Sequence, residues 1–172
     1  MACNSSQETD TIYKGRMNTK DYLIQYSELC EKIQNYQERI EQIEASLTKS
    51  IQLDGLPHGT GTSDPTQSTA IKLADISTRL NAARMEAELT RQMIASELEK
   101  VENPLYRELL YLRYLKNGIE KKRHLMKWED VTDELSKGRD NRYDCKHVMS
   151  YMHSKALNAF EKARNRSTSN IF

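Results

Sequence analysis

The chain has 172 residues, of which 37% are hydrophobic and 30% are charged, with only six glycines and three prolines. This low hydrophobic content argues against a large two-layer core. So few glycines and prolines argue against folds that need many tight turns. We therefore expect an all-α protein with much solvent-facing helix surface.

Charge is distributed unevenly along the chain, although the formal net charge is only +1. Before the Asn103-Pro104 break there are 11 basic and 16 acidic residues, a net charge of −5; after it there are 15 and 9, a net charge of +6. Attraction to a polyanion depends on local cation density rather than on the whole-chain sum. The second half is therefore the part expected to meet nucleic acid.

The cysteines and the N-terminal residues indicate where in the cell the protein is expected to be. Cys3, Cys30 and Cys145 show no CxxC spacing, which indicates a reduced, cytoplasmic protein. The sequence predicts neither a membrane span nor a signal peptide, so no membrane partner is expected. Residues 1–17 are expected to form a disordered leader.

The first periodic segment predicts a long helix. Its apolar residues alternate at spacings of four and three, which is typical of a coiled-coil seam. They are Tyr22, Tyr26, Leu29, Ile33, Tyr36, Ile40, Ile43 and Leu47. Charged residues occupy the other faces, so this helix needs a partner helix to cover one narrow stripe.

A glycine-rich connection at residues 53–64 separates the first helix from a second. It is not expected to bind phosphate, because no strand precedes it and no GK[ST] follows. Asp64-Pro65 predicts the start of the second helix, which runs to about Val101. Its predicted inward stripe is Leu73, Ile76, Leu80, Ala83, Ala87, Ile94, Leu98 and Val101.

Residues 18–102 are therefore expected to fold back as a helical hairpin or coiled coil. Met85, Leu89 and Met93 lie off its stripe. They are candidates for a homodimer contact, although scattered surface apolar residues are the commoner explanation.

Three further helices are predicted from residue 103 onward. Asn103-Pro104 caps the first of them, which Gly118 should close, and its inward residues are Leu105, Leu109, Leu112 and Leu115. A short helix begins at Trp128. Asp144 should cap the last helix, whose predicted inward stripe is Met149, Met152, Ala156 and Phe160, helped by Val148. Residues 103–164 are predicted to form a helix-turn-helix DNA-binding domain, followed by a flexible tail at 165–172.

Candidate DNA contacts fall into two groups. Base edges are expected to be read by Lys146, His147, Ser150 and Tyr151 on the outer face of the last helix. Phosphates are expected to be contacted by Lys121, Lys122, Arg123, Lys127, Lys137, Arg139 and Arg142. The alternative for each of these residues is an ordinary solvated side chain.

The segments NPLYRELLYLRYL, KWEDVTDEL and VMSYMHSKALNAF resemble region 4 of sigma factors. Together with the glycine-rich connection, they are more closely similar to phage late-transcription regulators of the RinA and ArpU type. The resemblance implies binding to double-stranded DNA, activation of late or packaging genes, and contact with RNA polymerase in the cytoplasm of a bacterial host. The stretches 116–127 and 136–144 are longer than the corresponding turns of that family.

Other functions find less support. Glu129 and Asp133 stand at a helical spacing of four, and Cys145 near His147 lacks metal-ligand spacing, so we expect no enzyme, metal or cofactor. Two alternatives stay open: a DNA-packaging component similar to a small terminase, and a coiled-coil adapter without DNA binding.

Overall fold

The structure is a computed structural model that describes residues 18–51, 65–121, 124–139 and 142–169. The predicted leader and the whole glycine-rich connection at residues 53–64, with its Asp64 cap, lie outside these residues. The described residues contain five helices and no strand, which confirms the all-α prediction. None of these helices is both long enough and apolar enough to cross a membrane.

The helices follow one another with bounds close to the predicted ones. They are α1 (Thr19–Ile51), α2 (Pro65–Glu99), α3 (Pro104–Tyr114) and α4 (Trp128–Ser136). The fifth, α5, begins as Cys145–His147, passes through a π-helical turn at Val148–Met152 and continues as His153–Ser169. The predicted tail is therefore helical as far as Ser169.

Helices α1 and α2 pack side by side in opposite directions. Tyr22, near the start of α1, lies against Glu97, near the end of α2. Further along α1, Leu29 borders the same surface cleft as Thr90. The predicted stripe of α2 faces α1 and is buried over most of its length, with Ala87 and Ile94 fully covered.

The buried side of α1 is wider than the predicted stripe. Tyr26 and Ile33 are buried as expected, but Leu23 and Cys30, which stand outside the stripe, are also fully covered. The reason is that α1 contacts α3 and α5 as well as α2. A helix with three neighbours buries a broader arc than the seam of a two-helix pair.

Helix α3 begins as predicted and ends earlier than predicted. The Asn103 side chain accepts a hydrogen bond from the backbone N–H of Leu105 at 2.9 Å. The helix ends at Tyr114, so Gly118 does not close it. The backbone N–H groups of Leu115 and Lys116 both bond to the Tyr111 carbonyl, which forms the terminating turn instead.

The inward stripe of α5 differs from the prediction at Met149, which is 45% exposed. Val148 is fully buried, as predicted. In the π-turn the N–H of His153 bonds to the carbonyl of Val148, five residues back instead of four. A π-turn has more residues per turn than an α-helix, so each residue advances by a smaller angle around the helix axis. Val148 and Met152 therefore both lie on the buried side, and Met149 lies on the exposed side.

One hydrophobic core joins the N-terminal pair of helices to the C-terminal three. Phe160 of α5 is fully buried, and its ring stacks on Tyr22 with centroids 6.2 Å apart. Arg164 reaches from α5 to Glu97 at 3.1 Å and lies over the Tyr22 ring. Helix α5 therefore packs against both α1 and α2, and these contacts fix its orientation in the fold.

The outer face of α2 carries uncovered apolar side chains. Met85 is 70% exposed, Leu89 60% and Met93 59%. These are the residues predicted from the sequence to lie off the hairpin stripe.

Candidate nucleic-acid interface

The N-terminus of α5 is well defined. Asp144 accepts a hydrogen bond from the backbone N–H of His147 at 2.9 Å, which is the predicted N-cap. Just after α4, Gly138 adopts a φ of +72°, a conformation that favours glycine. The connection between α4 and α5 therefore ends at a fixed helix start.

The four side chains predicted to read bases all lie on the exposed side of α5. Lys146, His147, Ser150 and Tyr151 are exposed, while Val148 and Met152 on the opposite side of these turns are buried. From Cys145 to Phe160 the sequence contains two lysines and no carboxylate. Apart from Met149, the exposed side chains of these turns are polar, and none of those after the Asp144 cap is a carboxylate.

Contacts along this face hold part of it in place. The rings of His147 and Tyr151 lie 5.0 Å apart, and the Lys155 Nζ lies 4.3 Å above the Tyr151 ring. Tyr151 also raises the pKa of Lys155 through a hydrogen bond. Sequence reasoning missed Lys155, although it stands four residues after Tyr151 and so shares its side of the helix.

A polar aromatic cluster attaches α5 to α3 and α4. His153 Nε2 lies 2.9 Å from the hydroxyl of Tyr114, and its ring meets the edge of Trp128 at a centroid distance of 4.8 Å. The Arg113 guanidinium covers Trp128 at 4.5 Å. Burial, followed by the charges of Arg113 and Lys20, lowers the pKa of His153 to about 4.

This cluster therefore contains a neutral histidine at neutral pH, which can share a hydrogen bond with Tyr114. No sequence pattern indicated this contact, because the two partners lie in different helices and at no helical spacing. Its effect is to fix the orientation of α5 just after the exposed polar face ends.

Three of the predicted phosphate contacts line one groove along α4. Lys121, Lys127 and Lys137 border it together with Lys116. The same groove is bordered by four carboxylates, namely Glu120, Asp130, Asp133 and Glu134. Four lysines and four carboxylates balance, so this groove is not a strongly positive surface.

Two predicted phosphate contacts already have protein partners. Lys137 binds Glu134 at 2.8 Å. Arg139 binds Glu108 at 2.6 Å and also donates to the Leu135 carbonyl. These bonds anchor the start of the α4–α5 connection to α4 and α3. Arg142, nearer to α5, is exposed.

The stretch between α3 and α4 packs on the protein. His124 and Met126 are buried, and Gln34 of α1 donates a hydrogen bond to the Lys121 carbonyl at 3.1 Å. The Lys121 side chain is exposed, whereas Lys122 and Arg123 lie outside the described residues. The described part of this stretch therefore packs against α1.

The outer face of α4 is acidic. Glu129, Asp130 and Asp133 are all exposed there. Phosphate groups are repelled by such a face. A polyanion is therefore better accommodated along α5 and Arg142 than along α4.

Comparison of the chain with protein-family models, with curated proteins and with solved structures finds no match. Within the described ranges, no group of three or more His, Cys, Asp or Glu residues is placed to hold a metal ion.

Proposed function

We propose that this chain is a sequence-specific regulator of transcription that inserts the first turns of α5 into the major groove of double-stranded DNA. The observation that carries the proposal is the exposed face of Lys146, His147, Ser150 and Tyr151. These side chains follow a capped helix start and lie on turns without any carboxylate.

The chemistry of this face suits base edges. Lysine donates to the O6 and N7 of guanine, while histidine, serine and tyrosine can donate or accept. The Ser150 hydroxyl donates to the Lys146 carbonyl at 2.7 Å, which leaves its oxygen able to accept from a base amino group. The face therefore carries both donors and acceptors, which sequence reading requires.

The packing of α3, α4 and α5 supports the same proposal. Val131 and Leu135 of α4 are fully buried, as is Val148 at the start of α5, while the outer face of α5 is exposed. A helix-turn-helix works in this manner: the core holds the recognition helix so that its outer N-terminal face enters the groove. The phage late-gene role and the contact with host RNA polymerase rest on the sequence resemblance.

Phosphate contacts in this proposal come mainly from exposed cations near α5. Arg142 precedes the helix and Lys155 follows the reading face. Lys127 is also exposed, at the start of α4. The exposed carboxylates of α4 repel phosphate, so the proposal places the DNA beside the start of α5.

The test is selection of duplexes from a randomised library by the full-length chain, repeated at several salt concentrations. We expect one enriched motif and a log Kd that rises with log salt. Sequencing of the DNA that the chain occupies in cells should then place the motif upstream of genes. Salt-independent or undetectable binding to every duplex would refute the proposal.

An adapter role is the second candidate, and the uncovered side chains of Met85, Leu89 and Met93 favour it. Exposed apolar residues on one helix face are typical of contact with another protein or a second copy. A packaging component would instead form a multi-subunit ring and occupy a packaging site. Light scattering of the free chain and the occupied DNA sites separate these candidates from a regulator.

A further inference from the structure

Met149 is an apolar side chain on an otherwise polar surface. It is 45% exposed, although a regular helical period predicts that it lies on the buried side. Its neighbours Lys146 and Ser150 are polar and exposed. The π-turn places the methionine there, so its position follows from the backbone of the reading helix itself.

The chemistry of a thioether limits what Met149 can recognise. It has no N–H or O–H to donate, and its sulfur is a weak acceptor. Among the groups that base pairs present in the major groove, the 5-methyl of thymine is the one that favours apolar contact. Met149 also has three rotatable bonds, so it can adapt to a methyl group at the groove floor.

The spacing along α5 would let Met149 contact a different base pair from the one that Lys146 contacts. Lys146 and Met149 are three residues apart, at most about 4.5 Å along the axis, because the π-turn that begins at Val148 rises less per residue than the regular α-helix that gives this value. Successive base pairs are about 3.4 Å apart. The two side chains would therefore address neighbouring base pairs, with the polar contact at one and the methyl contact at the next.

We infer that Met149 is a specificity-determining residue that selects thymine through its 5-methyl group. The inference rests on the proposed function, since it requires α5 to lie in the major groove. It adds a position that the sequence assigned to the protein core.

The experiment removes only the methyl group. In the duplex selected by the full-length chain, each thymine is replaced in turn by deoxyuridine, which pairs identically but lacks the methyl. At one thymine the wild-type chain should lose affinity roughly fourfold, the factor expected from one buried methyl group. At that position Met149→Gln, which keeps the length but is polar, should bind both duplexes equally, while Met149→Leu should still discriminate.

Two failures can be told apart. If the wild-type chain selects a motif but no thymine is methyl-sensitive, or if Met149→Gln discriminates as well as wild type, the assignment of Met149 is wrong and the proposed function stands. If the wild-type chain binds no duplex, both are wrong. Because Met149 is 45% exposed and lies outside the buried core, circular dichroism should show an unchanged fold in both variants.

Discussion

Acid should weaken the fold through His153. This histidine has an ordinary pKa of 6.5, which the folded chain lowers to about 4. Between these values the unfolded chain binds the proton and the folded chain does not. Stability is therefore fully present above pH 6.5 and falls as the pH is lowered toward 4.

The magnitude follows from the size of the shift. Integration of proton linkage from pH 7 to pH 5, with the two pKa values above, gives a loss of about 1–2 kcal/mol from this one residue. The physical cause is the burial of the imidazole beside Tyr114 and Trp128, with Arg113 adding repulsion to a protonated ring.

The assay is urea denaturation of the full chain at pH 7 and pH 5. Other groups also titrate in this interval, so the control is His153→Gln, which can still hydrogen-bond Tyr114 but does not titrate. Wild type should lose about 1–2 kcal/mol more than this variant. Equal losses in the two proteins would show that His153 is not held neutral by the fold, and the description of the cluster would be wrong.

Two other predictions concern the core and the electrostatics. Ile33→Asp should destabilise the fold by on the order of 3–5 kcal/mol, because Ile33 is fully buried and a charge there has no partner. The measurement is thermal melting, and the control is Asn35→Asp on the exposed side of α1. Replacement of Lys127 and Arg142 with alanine should weaken binding to every duplex about equally and lower the slope of log Kd against log salt by about two. An unchanged slope would place both residues away from phosphate.

Much of the fold could be predicted from local patterns. The stripe of α2, the Asn103 cap and the Asp144 cap depend on residues within one helix, where spacing determines which side chains meet. Leu23 and Cys30 were missed because their burial depends on α3 and α5 as well as α2. No periodic pattern in one segment records the position of helices that come later in the chain.

Sequence patterns predicted only part of the candidate site, because some of its contacts join different helices. Exposure of Lys146, His147, Ser150 and Tyr151 could be read from the polar side of one helix. Met149 was placed in the core because a regular helical period was assumed through the π-turn. The partners of Arg139 and His153 are set by tertiary contacts, so their roles became apparent only in the folded structure.

The most direct test of whether α5 recognises DNA sequence is to determine which DNA motif is preferred by variants on its outer face. Lys146→Ala and Ser150→Ala should fold normally, because both side chains are exposed, and Lys162→Ala, on the exposed surface further along the same helix, is the matched control. In selection from randomised duplexes, each of the first two variants should lose preference at its own base pair, by on the order of 1–3 kcal/mol, while the control keeps the wild-type motif. An unchanged motif in both reading-face variants would contradict the assignment of α5 as the recognition helix.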